Sequence, residues 1–311
     1  MQWAVSKDPV HGRGAADNPA NRYQPRETVA FDDGWEQEPS VVLRTRVGID
    51  SARRAISYND SPDIPFDRSI NPYRGCEHGC IYCYARPTHA WLDLSPGLDF
   101  ESRLFARPDL PERLRVELAS PGYRAAPLAL GAITDAYQPI EREHGITRQV
   151  LEILTETQHP TLVITKSALV ERDIDLLREL AQHGLVEVAV SLTTLQRPLA
   201  RALEPRAAAP QRRLQIIETL SSAGIPVCAM VAPIIPVLTE CEIEKLLQAA
   251  REAGAHAASY ALLRLPLEVA PLFREWLERH HPDAARRVMG HVQDMRGGRD
   301  NDSRFGRRFT G

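Results

Sequence analysis

No apolar run in this chain approaches the roughly 20 residues that cross a bilayer. The apolar stretch Ile225–Val237 is broken by Pro226, Pro233 and Pro236, so no membrane association is expected. Met1–Asp17 lacks the apolar segment of a secretory signal, and a cytoplasmic location is the expectation. There is no Gly-rich dinucleotide fingerprint, which argues against a doubly wound nucleotide-binding sheet. Cysteine is scarce and odd in number: there are five, three of them within eight residues. Such crowding does not suit a disulfide scaffold and, in a reducing compartment, points to metal or catalysis. Cys228 lies in an apolar run and Cys241 opens a helical pattern, so both read as ordinary buried or semi-buried residues.

The 311 residues carry a formal net charge of −3, unevenly distributed. From Ala284 to Gly311 seven Arg stand against three Asp, a local charge of +4. Such a tail either attracts phosphates or an anionic substrate, or is simply a solvated surface.

Met1–Pro65 reads as an irregular extension rich in Asp, Arg, Pro, Gly and Asn. Val41–Val47 alternates like a strand, while Gly12–Gly14 and Asn18–Tyr23 read as turns; Trp3 and Trp35 favour wrapping over a domain. From Ser69 onward short apolar runs predict strands at Ser69–Tyr73, Leu128–Ile133, Thr161–Thr165, Val186–Ser191, Ile225–Val231 and Ala257–Leu263. Amphipathic stretches at Ile146–Thr157, Glu171–Gln182, Gln211–Ala223 and Glu240–Ala253 predict helices between them. Strands alternating with helices imply βα units and a parallel sheet. The expected fold is α/β, a partial (β/α)6 TIM-type barrel over residues 66–266. An irregular extension (1–65) precedes it, and helices at Glu268–His280 and Asp283–Asp294 with the Arg-rich tail (267–311) follow. Barrels of this kind place their chemistry in the loops after the C-terminal ends of the strands.

The segment Asn71–Pro87 follows the first predicted strand and carries Cys76, Cys80 and Cys83 at spacings of four and three. Gly75 and Gly79 let its backbone fold tightly. Three thiolates at this spacing can converge on one inorganic cluster, and with no fourth Cys nearby one iron is left for an outside ligand. Two other readings stand beside it: a structural zinc site completed by His78 or His89, and a structural cluster with a non-Cys fourth ligand.

Cys-x3-Cys-x-aromatic-Cys, with Tyr82 as the aromatic, resembles the signature of radical S-adenosylmethionine (radical SAM) enzymes. The longer string Asn71–Arg86, with Ser95–Glu101 after it, resembles an uncharacterised bacterial branch related to spore photoproduct lyase. That resemblance runs from about Gly12 to the C-terminus; the wider class shares only the barrel, roughly Ser69–Pro266. It implies a [4Fe–4S] cluster on Cys76, Cys80 and Cys83 whose free iron binds the amino and carboxylate groups of S-adenosylmethionine. Reductive cleavage then yields methionine and a 5′-deoxyadenosyl radical that abstracts hydrogen from a substrate. It further implies an electron donor such as flavodoxin or ferredoxin.

On this resemblance the cofactor sites fall at the predicted strand ends. Thr134 and Asp135 after strand two suit the methionine ammonium, or else cap a helix. Lys166 after strand three would face the methionine carboxylate, or is a solvated surface lysine. Ser191 ends strand four as a ribose-binding hydroxyl, or an ordinary turn serine. Glu204, Arg206 and Arg213 would bind ribose, carboxylate or phosphate at the barrel mouth, or pair with each other on the surface. Pro233–Pro236 forms an apolar wall suited to adenine or to plain core, and Arg264 needs an anion or open water. Tyr82 and Tyr84 flank Cys83 much as tyrosines do in the lyase, as radical relays or as packing on the cluster.

Two departures narrow the expectation. The lyase has a hydrogen-returning cysteine three residues before the Asp of its strand-two loop; aligning on Asp135 places Ala132 there, which argues against thymine-dimer repair. No second Cys cluster is present, which argues against members with auxiliary centres. The leading expectation is a radical SAM enzyme of unassigned substrate. Kinship and the basic tail tilt that substrate toward nucleic acid, while overall acidity and the lack of a stacking platform oppose it. The rival is a non-catalytic iron–sulfur or zinc protein that binds nucleic acid through its tail. The oligomeric state is left open.

Overall fold

The apolar runs form strands because β-branched and small side chains pack well on a half-buried pleated surface. The computed structural model describes residues 10–23 and 43–306. It contains β1 (Arg46–Ile49), β2 (Ser57–Tyr58), β3 (Arg68–Ile70), β4 (Tyr73–Arg74) and β5 (Arg103–Ala106), followed by β6 (Leu128–Leu130), β7 (Thr161–Thr165), β8 (Val186–Ser191), β9 (Val227–Ile234) and β10 (Ala257–Leu262). The larger sheet has the order β10-β9-β8-β7-β6-β3-β2. Its first six members run parallel, and β2 joins β3 antiparallel. This is the expected six-stranded parallel array, with β10 at one edge and β2 covering β3 at the other.

Helices at Ile146–Glu156, Ile174–Gln182, Pro210–Ser222 and Ile243–Glu252 cover one face. Val163, Val188, Val190 and Ala229 enter that core with Leu151, Leu177, Ile216 and Leu246. Because side chains alternate along a strand, the intervening positions face the other way. There, on the inner face, Ala189 lies beside Cys228 and Ser191 beside Met230, while Leu162 and Ile164 of β7 share that face.

The first predicted strand divides in two. β3 ends at Ile70, and Tyr73–Arg74 pairs instead with β5 in a separate sheet of order β1-β5-β4. The break falls at Asn71-Pro72. Pro72 has no N–H to continue a ladder, and the Asn71 side-chain oxygen accepts the backbone N–H of Ile133 at 2.8 Å. The cysteine loop therefore leaves the barrel strand through this small sheet. The strand predicted at Val41–Val47 appears at Arg46–Ile49, and β2 is a second strand in the segment read as irregular. Trp3, Trp35 and Val41 lie outside the described residues.

The C-terminal helices occupy Val269–His280 and Pro282–Met295. Phe273, Trp276, Val288 and Val292 pack with Cys80, Ile81, Tyr82 and Leu203, so this segment covers the cysteine loop directly. The tail is less basic a surface than its composition implies. Arg296 is buried and donates to the Leu263 carbonyl at 3.0 Å, and Arg304 pairs with Asp302 at 2.5 Å. Arg307 and Arg308 lie outside the described residues. Among the described residues no helix is long and apolar enough to cross a membrane.

One buried ion pair fixes the cysteine loop. Arg86, fully buried, donates to the carbonyls of Cys80 (2.9 Å), Pro96 (3.1 Å), Gly97 (3.0 Å) and Gly79 (3.2 Å), and to Glu101 Oε1 at 2.5 Å. Glu101 in turn accepts the backbone N–H groups of Gly14 and Ala15, both at 2.9 Å. Gly14 lies so close to Gly79 that a Cβ there would stand 1.9 Å from the Gly79 carbonyl oxygen. Removing one partner of such a pair leaves an uncompensated buried charge, which costs about 3–5 kcal/mol. Glu101→Gln is expected to lose stability in that range by urea denaturation; a loss below about 1 kcal/mol would show that the pair does not hold the loop.

Candidate active site

Cys76, Cys80 and Cys83 are unpaired thiols on a tight loop, the first two buried and the third half-buried. The loop is held by short-range backbone bonds, Gly79 N to Cys76 O at 3.3 Å and Cys83 N to Cys80 O at 3.2 Å. Gly75 and Gly79 take φ of 71° and 67°, a conformation that favours glycine. Ile81 N donates to Leu203 O at 3.0 Å and Arg206 N to His78 O at 3.3 Å, docking the loop on the segment after β8. On the other side Gln138 bridges it, accepting from Glu77 N at 3.0 Å and donating to Gly75 O at 3.0 Å.

Beside Cys80 stands a buried charge network. Lys166 Nζ, at the end of β7, lies 3.5 Å from Cys80 Sγ, 3.2 Å from the Tyr82 hydroxyl and 2.9 Å from Glu204 Oε1. Glu204 also accepts from Thr193 at 3.0 Å, from the Tyr82 hydroxyl and from Arg213. Burial opposes charge on Glu204, but Arg213 and Lys166 outweigh it and hold the carboxyl well below the usual range. Burial likewise opposes the Lys166 ammonium, and Cys80, Glu204 and Tyr82 together raise its pKa. Lys166 is thus not a solvated surface lysine. Glu204 and Arg213 do pair with each other, but inside the protein and not on its surface. Glu204 and Arg206 do not meet: Arg206 turns to Glu77 at 3.2 Å.

The strand-two residues serve as cross-links. The Thr134 hydroxyl donates to Tyr73 O at 2.8 Å. Asp135 accepts Tyr137 N at 2.9 Å, the Thr165 hydroxyl at 2.8 Å and Lys166 N at 2.9 Å, with His78 Nδ1 at 3.4 Å. It fixes the backbone from which Lys166 projects. Ser191 Oγ, on the inner face, has Met230 Sδ at 3.9 Å. Tyr82 is buried, whereas Tyr84 is 45% exposed, donates to the Ala132 carbonyl and carries the Arg264 guanidinium 5.4 Å from its ring centroid. Sequence reasoning passed over Arg86, Glu101 and Thr193. No local signal marked Glu101, which sits among Asp99, Ser102 and Arg103; only its burial beside Arg86 shows its part.

The donor set suits a cluster better than a single ion. Among the described residues no three His, Cys, Asp or Glu side chains are gathered closely enough to hold one metal ion. Thiolates that bind three different irons stand further apart than the ligands of one zinc. His89 is turned to the Arg103 carbonyl and His78 lies 3.4 Å from Asp135, so the zinc reading is not favoured. His89 is fully buried, its Nε2 donates to the Arg103 carbonyl at 2.9 Å, and its ring meets Phe100 edge-on. Burial pushes the Cys80 thiol up to about 12 despite Lys166, so bound iron is what would make these sulfurs thiolates.

A parallel α/β sheet whose strand-end loop carries three such cysteines defines a radical SAM architecture. The model of the Radical SAM superfamily matches residues 70–250, over half of the chain, and the chain belongs to that superfamily. The enzymes of this superfamily use a [4Fe–4S] cluster and S-adenosylmethionine. The chain is 37% identical over 226 residues to an uncharacterized protein of Mycobacterium tuberculosis, covering 72% of this chain and 66% of that one. It thus spans just under two thirds of that relative's length. Its fold resembles spore photoproduct lyase complexed with dinucleoside spore photoproduct, with a TM-score of 0.54 and 18% identity over 76% of this chain and 66% of the lyase. A doubly substituted form of that lyase with bound AdoMet and dinucleoside spore photoproduct matches with a TM-score of 0.52, 18% identity and the same coverage.

Burial lowers the pKa of His89 to about 4, so the unfolded chain binds this proton first as the pH falls. The stability this group contributes is complete above its unfolded value of about 6.5 and declines down to about pH 4. At pH 5 the loss amounts to about 2 kcal/mol. Comparing His89→Leu with the parent by urea denaturation at pH 7.5 and pH 5 is expected to show a shallower acid decline in the variant. Equal declines would place His89 outside the linkage.

Proposed function

We propose that this chain reductively cleaves S-adenosylmethionine at a [4Fe–4S] cluster held by Cys76, Cys80 and Cys83. When bound, the cluster supplies one electron to the sulfonium, which gives methionine and a 5′-deoxyadenosyl radical for hydrogen abstraction. The observation that carries this reading is the loop of three thiols with a buried ammonium, Lys166, 3.5 Å from Cys80 Sγ.

The chain's own residues have distinct parts in this reading. Lys166 offers its ammonium to the methionine carboxylate, and Glu204, with Tyr82, Thr193 and Arg213 around it, fixes the direction of that ammonium. Ser191 faces the ribose from the inner face of the sheet. Thr134 and Asp135 bound the space for the methionine ammonium, Asp135 chiefly by anchoring the Lys166 backbone. Arg206 braces Glu77, and so the loop, from outside. Both phenols are hydrogen-bonded, Tyr84 to the Ala132 carbonyl and Tyr82 to Glu204; Tyr84, half-exposed, is the better placed of the two to relay a radical. A methyl group at Ala132 offers no thiol, so the reaction we propose is hydrogen abstraction other than thymine-dimer repair. The buried Arg296 and paired Arg304 weaken the case for a nucleic-acid substrate bound through the tail. A cytoplasmic, reducing location with an electron donor such as flavodoxin or ferredoxin suits this chemistry.

Anaerobic reconstitution is expected to give a brown protein that releases 5′-deoxyadenosine from S-adenosylmethionine under dithionite. Cys80→Ala is expected to abolish release and lower the iron content. Release unaltered by Cys80→Ala would refute the cluster assignment, and a colourless parent with one tightly held zinc would refute the reading as a whole.

A further inference from the structure

The cysteine loop has a second side. His78, between Cys76 and Cys80, lines a cleft of about 250 Å³ together with Arg142, Arg206, Arg212, Ser167 and Leu169. No carboxylate lines it, although the chain as a whole is acidic, with a net charge of −3. Glu77 and Glu171 pair with Arg206 and Arg212 but stand outside the lining. Among the described residues Arg142 has no ion partner, and it is exposed. Ser191, Met230, Tyr84 and Arg264, from the inner face and its rim, do not take part in this cleft.

We infer that this cleft is the docking surface for an acidic one-electron carrier protein, which delivers its electron through the cysteine loop. The inference rests on the cluster reading above. Among the described residues there is no second cysteine cluster, so the reducing electron must come from outside the chain. The inner face is where cofactor and substrate would sit, so the electron needs a different approach. The cleft reaches the cysteine loop at His78 and is lined by three guanidiniums, of which Arg142 has no ion partner among the described residues while Arg206 and Arg212 keep partly exposed faces, so it attracts a carboxylate-rich surface and brings it against the loop. In the step itself the carrier is oxidised by one electron and the cluster is reduced by one, with no bond made or broken.

The test uses the full chain, anaerobically reconstituted, with flavodoxin hydroquinone as the probe. Two variants, Arg142→Glu and Arg142→Glu/Arg212→Gln, are compared with the parent. Iron content and 5′-deoxyadenosine release under dithionite report on the cluster reading and on folding. The rate of cluster reduction by flavodoxin, followed by stopped-flow absorbance, reports on docking. The double variant is expected to be reduced by flavodoxin about tenfold more slowly, with a flatter dependence on salt, while dithionite-driven release is unchanged. Flavodoxin reduction at the parental rate overturns the inference and leaves the cluster reading intact. Loss of dithionite-driven release in the variants also overturns it, because the arginines would then serve the fold or the cofactor. Binding of a single-stranded oligonucleotide that these variants abolish, with flavodoxin reduction unaffected, assigns the cleft to another ligand and overturns it as well.

Discussion

The Arg86 guanidinium is the constraint on which the site depends. Its hydrogen bonds go to the carbonyls of Gly79, Cys80, Pro96 and Gly97 and to Glu101, all inside the protein. Two of those acceptors belong to the cysteine loop, two to the turn before the Leu98–Ser102 helix, and Glu101 carries the link on to Gly14 and Ala15. A short loop with two left-handed glycines has little secondary structure to hold it. A planar donor with fixed geometry supplies what a helix or ladder otherwise would. The full burial of both partners makes the arrangement all-or-none, because neither charge tolerates losing the other.

A second network builds on the first. The backbone of Lys166 is pinned by Asp135 at the end of strand two, and its ammonium is pinned by Glu204 after strand four. Tyr82, from the cysteine loop, meets both. Three strand ends and the loop thus share one set of polar contacts in a low-dielectric space, where satisfied networks are rigid and broken ones are costly. In the reading proposed above, Glu204 and Asp135 act through Lys166, as positioning residues rather than as direct ligands.

Most of the sheet was legible because apolar runs at βα spacing leave few alternatives. Thr161–Thr165 and Val186–Ser191 match their strands end to end. The Asn71-Pro72 break was visible in principle, since proline cannot continue a ladder, but nothing local says that Tyr73 crosses to another sheet. The three cysteines stood out by their spacing, and the resemblance to the radical SAM signature narrowed what they could hold. Their surroundings were not legible, because Glu204 and Arg213 look the same in sequence whether they pair on the surface or in the core. Only the distance between chain segments decides that, and it is set by the fold. The Arg-rich tail is another case: composition counts charges without saying which are buried, like Arg296, and which are exposed, like Arg286, Arg287 and Arg299.

The cysteine loop is short, yet it faces two ways. Toward the sheet it presents Cys80 and Tyr82 to Lys166; toward the arginine cleft it presents His78. In the proposed chemistry an electron crosses this loop while a reactive radical is kept on the other side. In that reading, an approach from the arginine cleft would let a carrier protein dock without unsealing the space proposed for the radical, and exclusion of water from that space would prevent side reactions. That separation holds only while the loop keeps one conformation with both sides occupied. Gly14 pressed against Gly79, the helices at 269–295 over Ile81 and Tyr82, and the buried Arg86 all resist its opening. In the proposed reading the packing around the loop therefore bears on function as well as stability: a loosened loop would expose a cluster held there to solvent before any carrier or substrate arrived.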